Sequence, residues 1–276
     1  MFTFLQSIFS FAQDYSVDSK NNFEFLPSSN LYEPVKANII EAKNGVLKDI
    51  SKNTLQLNIG MSSDILRWNS INMNFALGAD FFTYSNLRVE SNFKFPIDAI
   101  DYFFGINTSY RNISKLGIFT SRLRISHISA HFEDGHKYGR SDTIFSPVIY
   151  SREFIDLSAG YDNRLNKNFN VKNQLGINIL FHSIPDDFGI LSFQYGFEFR
   201  YFLNSIMSIY ISNCLNFQRI KKSNALNENF ETGFRFGKLN SKGFSISFNF
   251  YDGKDYKGQY YGKFLNYKSI GFNVDL

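Results

Sequence analysis

The sequence predicts an all-β fold: a transmembrane antiparallel up-and-down β-barrel of about 12 strands. Three observations carry that expectation. The first is period-two alternation that recurs from about Leu55 to the end of the chain. Leu191, Phe193, Tyr195, Phe197, Phe199 and Tyr201 share one face, and Ser192, Gln194, Gly196, Glu198 and Arg200 share the other. Successive side chains of a strand point to opposite faces, so each ribbon is apolar on one side and polar on the other. Lipid outside and a polar lumen inside ask for that pattern. The second is an aromatic load of 33 Phe and 16 Tyr, which suits a lipid-facing band with girdles at both interfaces. The third is the lack of any apolar run of roughly 18 residues, which excludes a spanning helix. A mean hydropathy of −0.23 agrees, because half of each strand would face water.

The elements follow in order. Residues 1–12, MFTFLQSIFSFA, read as a signal-peptide remnant ending at the small Ala12. It lacks a basic segment, so the start at Met1 reads as truncated. Residues 13–52 carry no alternation from Pro34 to Ile50 and form an N-terminal segment, either a periplasmic arm or a plug in the lumen. The barrel occupies 53–276. Its strands are expected at about 53–61, 70–84, 86–96, 101–111, 117–131, 148–161, 168–182, 189–203, 206–218, 228–238, 243–251 and 262–276. An even number places both termini on one side, the periplasmic one in bacterial barrels, so the first strand runs outward.

Connection lengths support the count. The short, inner turns centre on Ser85, Ser114, Asn166, Asn204 and Asn240. The long, outer ones are Phe132 to Pro147, Arg219 to Asn227 and Tyr251 to Tyr261. Short turns at one end and long loops at the other are the barrel habit. The last strand alternates through Ile270, Phe272, Val274 and Leu276, and resembles the signal read by the barrel-insertion machinery.

The two faces then sort the charges. Met73, Phe75, Leu77 and Phe81 belong to the lipid face, as do Leu175, Ile177, Ile179 and Phe181. A cationic side chain in mid-membrane would cost about 2–4 kcal/mol, so the charges must face the lumen. The central cluster is Arg122, Arg124, Arg152, Asp156, Glu198, Arg200, Glu231 and Arg235. A salt-bridged lumen of this kind predicts a closed or narrow barrel with a structural, envelope or limited transport role; the alternative is a weakly anion-preferring pore that passes small anions past Arg122, Arg124, Arg152, Arg200 and Arg235. The net charge of +4 is mild and the basic residues are scattered, so no nucleic-acid partner is expected. The lone Cys214 excludes an intramolecular disulfide and a cysteine metal cluster. Partners are expected to be outer-membrane lipids, and the barrel is expected to be monomeric.

One stretch has the residue types for chemistry. With Arg122 and Arg124 inward, Leu123, Ile125, His127, Ser129 and His131 point outward near the outer rim. His127 and Ser129 share a face two residues apart, so the imidazole could act as base toward the hydroxyl. Ser151 and Glu153 return alongside in the same phase, and Glu153 could orient the imidazole. The alternative is that these are interfacial polar residues with no chemistry. His127, His131 and Asp134 are too far apart along a strand to share a metal easily, so no metal and no cofactor are expected.

The His-x-Ser pair on an outer wall resembles outer-membrane phospholipase A and the lipid A deacylases. That resemblance implies an outer-membrane lipid esterase with Ser129 as nucleophile, His127 as base and Glu153 as orienter, and calcium only in that case. The Asn-His pair and the Ser-Asn-Gly run of the phospholipase are missing. A broader set of phrases is Phe25-Leu26-Pro27-Ser28, Leu31-Tyr32-Glu33-Pro34, Gly78-Ala79-Asp80, Arg122 to Asp134 and Tyr150-Ser151-Arg152-Glu153. It resembles the domain of unknown function 1207 family of bacterial outer-membrane proteins. The family implies an outer-membrane β-barrel and no particular activity.

Overall fold

The computed structural model describes residues 22–132, 147–238 and 241–275. Its strands are β1 (Asn22–Phe25), β2 (Gly45–Asp49), β3 (Thr54–Asn69), β4 (Met73–Arg88), β5 (Ile97–Ser114), β6 (Gly117–Phe132) and β7 (Tyr150–Arg164). They continue as β8 (Phe169–Ile184), β9 (Leu191–Phe202), β10 (Met207–Ile220), β11 (Ser223–Phe236), β12 (Gly243–Lys254) and β13 (Phe264–Asp275). Each strand from β2 to β13 pairs antiparallel with its neighbour in sequence. β13 pairs with β2 and closes the ring, giving a twelve-stranded antiparallel barrel. Closure removes every open edge except at β2, which is too short to cover β3; there β1 adds to the far part of β3. Among the described residues no helix is long and apolar enough to cross a membrane.

Apart from β1 and β2, the strands are long enough to cross a bilayer, where about 9–11 residues suffice. Their outward side chains are apolar and exposed: Phe75 is 50% exposed, Leu175 65% and Ile246 48%. Their inward partners are polar and buried, including Asp80, Gln174, Ser212 and Asn249. Such a surface is stable only with lipid around it.

The ring has the expected number of strands but a different beginning. Gly45–Asp49 is the first barrel strand, although it was expected within the N-terminal segment; its alternation is too brief to register. No separate strand spans 86–96: β4 runs on to Arg88. The expected turn at Ser85 lies inside β4, where Ser85 pairs with Leu57 and Ile100 on either side. The ladder overrides the turn preference of Ser. The real reversal is at Glu90–Lys94, where Asn92 and Phe93 take left-handed backbone. β3 and β4 therefore run opposite to the expected directions. From β5 onward the phase agrees with the sequence reading. The outer loop expected over Arg219–Asn227 is instead a tight turn at Lys221-Lys222, with φ of 49° and 64°. Two consecutive left-handed residues match the twist of a hairpin. Residues 1–12, Asp134 and Asn240, and most of the loop from Phe132 to Pro147, lie outside the described residues.

Both described ends, β1 and β13, belong with the short turns at one rim. The longer connections, including 185–190 and 255–263, gather at the other rim.

Candidate functional site

Two places concentrate chemistry: the lumen and one patch of the outer wall. In the lumen, residues 30–43 form a strap across the half of the barrel nearer the termini. A chain buried without a partner strand must still satisfy its backbone N–H groups. The barrel wall supplies the acceptors. Leu31 N–H donates to Asp64 Oδ2 (2.8 Å), Val35 N–H to Gln174 Oε1 (2.9 Å), Lys36 N–H to Glu198 Oε2 (2.7 Å) and Ala37 N–H to Ser212 Oγ (3.0 Å). Asn229 Nδ2 donates back to the Ala37 carbonyl (2.6 Å), and Arg111 to the Leu31 carbonyl (2.7 Å). Acceptors from β3, β8, β9 and β10 thus bind one continuous stretch of chain.

Apolar packing and charge complete the seat. Val35 and Ala37 bury against Cys214. Gly196 makes room, since a Cβ there would stand 2.6 Å from Val35 Cγ2. Glu41 is 3% exposed and is gripped by two cations. Arg122 Nη1 donates to its Oε2 at 3.0 Å and Arg122 Nη2 to its Oε1; Arg124 donates from 3.2 and 3.3 Å. Burial pushes the Glu41 carboxyl up, but the two guanidinium groups outweigh burial and hold it below the usual carboxylate range. Arg124 also binds Asp156 (2.7 Å), and Arg122 lies over the Tyr32 ring at 4.3 Å. Lys43 pairs with Glu231 (2.9 Å), and Lys36 and Arg235 share Asp275 (2.6 and 2.7 Å). Arg200 pairs with Glu198. The inward cluster read from the sequence is thus built around the strap. Arg152 stands apart from it, against the Phe188 and Phe154 rings.

The outer patch lies where β6, β7 and β8 approach the rim of the longer connections. Register sets His127 opposite Glu153 and Ser129 opposite Ser151. His127 Nδ1 is 2.6 Å from Glu153 Oε1, and Ser151 Oγ donates to the same oxygen at 2.6 Å. With Nδ1–H donating to the carboxylate, Nε2 is left as a free acceptor. Of the three expected site residues, the structure brings two into contact. Ser129 is outward and half-buried, but among the described residues its hydroxyl makes no hydrogen bond. His131 is also outward, with its ring against Tyr102.

A fourth group joins the patch. His182 Nδ1 bonds the second oxygen of Glu153. Simple alternation from Leu175 through Phe181 would turn His182 inward. A β-bulge at Phe181 shifts the register between Glu153 and Phe154, so His182 pairs with Glu153 and faces out. The signal in the sequence is the broken alternation of Phe181-His182-Ser183-Ile184. Among the described residues no group of His, Cys, Asp and Glu is arranged to hold a metal ion.

A family model described as Protein of unknown function (DUF1207) matches residues 47–275. The chain belongs to the DUF1207 family. The matched range runs from β2 to β13, so it spans the barrel, while the strap precedes it. A search of curated proteins finds no match. Among solved structures, outer-membrane phospholipase A from Escherichia coli is similar at 14% identity and TM-score 0.49, over 89% of this chain and 95% of that one. The CymD monoaromatic hydrocarbon channel is similar at 6% identity and TM-score 0.45, over 84% of this chain and 75% of that one. The COG4313 outer-membrane channel from Pseudomonas putida F1 is similar at 10% identity and TM-score 0.34, over 88% of this chain and all of that one. These likenesses are of barrel to barrel and carry no activity across.

Proposed function

We propose that this DUF1207 protein is an outer-membrane barrel whose lumen is occluded by its own strap, serving a structural or envelope role rather than an open pore. The observation that carries this is Glu41, buried between Arg122 and Arg124, with the backbone on either side of Pro34 bonded to the wall. Both termini are on the periplasmic side in this reading, the lipids of the outer membrane are its surroundings, and the barrel works as a monomer after insertion by the barrel machinery. Conductance in planar bilayers tests it. The refolded wild type passes no steady current, and a variant lacking residues 30–43 does. A steady wild-type current that the deletion leaves unchanged would overturn it.

A second reading rests on a different observation. His127 held at Nδ1 by Glu153, with Nε2 free and Ser129 two residues along the same face, is the arrangement of a base poised beside a nucleophile. It supports an outer-membrane lipid esterase, with Ser129 attacking an acyl ester and calcium assisting. The Ser129 hydroxyl would first have to rotate onto His127. Hydrolysis of phospholipid or lipid A esters in mixed micelles, abolished by Ser129→Ala and by His127→Ala in folded protein, supports it. No hydrolysis with or without calcium removes it.

A further inference from the structure

Above the strap, on the side of the longer connections, the lumen is not filled. A cavity of about 80 Å3 remains there, open at its mouth. Residues 38–41 of the strap form its floor. One wall is aromatic: Tyr84, Tyr150, Phe154, Phe188 and Tyr261 line it or pack behind it. The facing wall is amide-rich, with Asn178, Gln194, Asn216 and Asn229. The connection 255–263 folds over the rim and is tied there. Gly258 N–H donates to Asp101 Oδ2 (2.7 Å), and Gln259 bridges the carbonyls of Ala130 and Val148 (2.7 and 2.9 Å).

Among the described residues, two charged groups of this chamber stand outside its ion pairs, Asp101 and Arg152. Asp156 is taken by Arg124, Glu41 by Arg122 and Arg124, and Asp255 by Lys257 at 3.2 Å. Asp101 is drawn into the overlying connection through Gly258. Arg152 makes no ion pair among the described residues; its guanidinium donates a hydrogen bond to the Tyr150 hydroxyl, and its Nε is buried without a partner. Its guanidinium instead lies 4.8 Å from the Phe188 ring centre and 5.6 Å from that of Phe154. Across the chamber the side-chain oxygens of Asn216 and Asn229 are also buried without partners. Tyr84 Oη, Asp101 Oδ1 and Asp156 Oδ1 on the same lining are likewise buried without partners, so unpaired donors and acceptors converge on this chamber, and such groups point to something that pairs with them. A concave, mostly apolar wall with a few convergent polar groups is the usual build of a small-molecule site.

We propose that this chamber binds a small organic anion, its carboxylate on Arg152 and its apolar body against the Phe154, Phe188 and Tyr150 wall. A guanidinium fixed between two aromatic faces presents its N–H fork to a planar carboxylate. The amides opposite would take hydroxyl or N–H groups on the body. The site lies inside the barrel, away from the His127 patch, and is independent of the esterase reading.

Calorimetry on the refolded full chain in detergent tests this, with benzoate as the probe, benzamide as its neutral match and benzylammonium as its cationic match. Empty micelles give the partition background. Benzoate is expected to bind more tightly than either match. Arg152→Gln is expected to weaken it about 10- to 100-fold, the worth of a charge-assisted hydrogen bond. Arg152→Lys keeps the charge without the fork and should lose less. Heat-modifiable migration of each variant confirms that the barrel has formed. Benzoate affinity equal to that of benzamide overturns the proposal, as does an Arg152→Gln barrel that binds benzoate like the wild type. Preferential binding of benzylammonium would also overturn it and move the site to Asp101.

Discussion

Glu41 is the residue whose loss would say most about the strap. Glu41→Gln keeps the shape and removes the charge. Arg122 and Arg124, each 2% exposed or less, would then have Asp156 between them, with Asp80 3.9 Å from Arg124. Breaking a buried ion pair from one side costs about 3–5 kcal/mol. Asp156 already bonds Arg124 at 2.7 Å, so the low end applies, about 3 kcal/mol. That cost falls on docking of the strap, because the ladders of the barrel are untouched. It raises the undocked population about 100-fold. Cys214 reads this directly, being the single cysteine and 6% exposed beneath Val35 and Ala37. Its labelling by a bulky maleimide in refolded protein is expected to be slow in the wild type. It should be about 100-fold faster in Glu41→Gln, provided opening and closing outpace labelling. His127→Ala, on the outer wall, is the control and should leave the rate alone. A Glu41→Gln rate within about twofold of the wild type would mean that the Arg-Glu contact does not hold the strap.

Further expectations follow from the same geometry. Gly196→Leu puts atoms where Val35 now packs, so it should expose Cys214 to the maleimide while the barrel still migrates as folded. Acid should release the strap too. The Glu41 carboxyl lies below its ordinary value, so its contribution to docking is complete above about pH 4.3 and is lost as pH falls through the lowered value. Pepsin digestion across that range should find the strap protected at the upper end and cut at the lower. Glu153→Gln should shift thermal stability little, about 1 kcal/mol or less, because its histidine partners are 41% and 56% exposed. A collapse of the barrel on that change would contradict an exposed patch. Ile211→Arg puts a cation on the lipid face and should cost about 2–4 kcal/mol in urea unfolding from lipid vesicles.

Most of the barrel was legible in the chain because a membrane strand has no freedom of phase. Once Arg122 and Arg124 must avoid lipid, Leu123 and His127 must face it, and β7 follows through its register. The start of the barrel was harder. Gly45–Asp49 offers too few residues for a period to show, and Ser85 reads as a turn until β3 and β5 are placed on either side of it. The strap left no periodic trace either. Many of its contacts are made by backbone N–H groups of Leu31, Val35, Lys36 and Ala37, which every residue but Pro carries, so side-chain identity announces nothing of them. Only Glu41 stood out in retrospect, as an acid able to answer Arg122 and Arg124. On the outer wall, His127 and Glu153 were found by phase alone. His182 was not, because a bulge resets the phase at Phe181, and one extra residue is invisible until the pairing is known.

The seat of the strap can be tested without inferring it from function. Ala37→Cys places a thiol beside Cys214, with which Ala37 shares a buried apolar cluster. Mild oxidation or a short bifunctional thiol reagent, applied to the refolded protein in lipid and followed by peptide mass spectrometry, should link position 37 to Cys214 within one chain. Dilution should not lower the yield. A folded barrel in which position 37 stays free, or links only between molecules, would place the strap outside the lumen and contradict the occluded barrel.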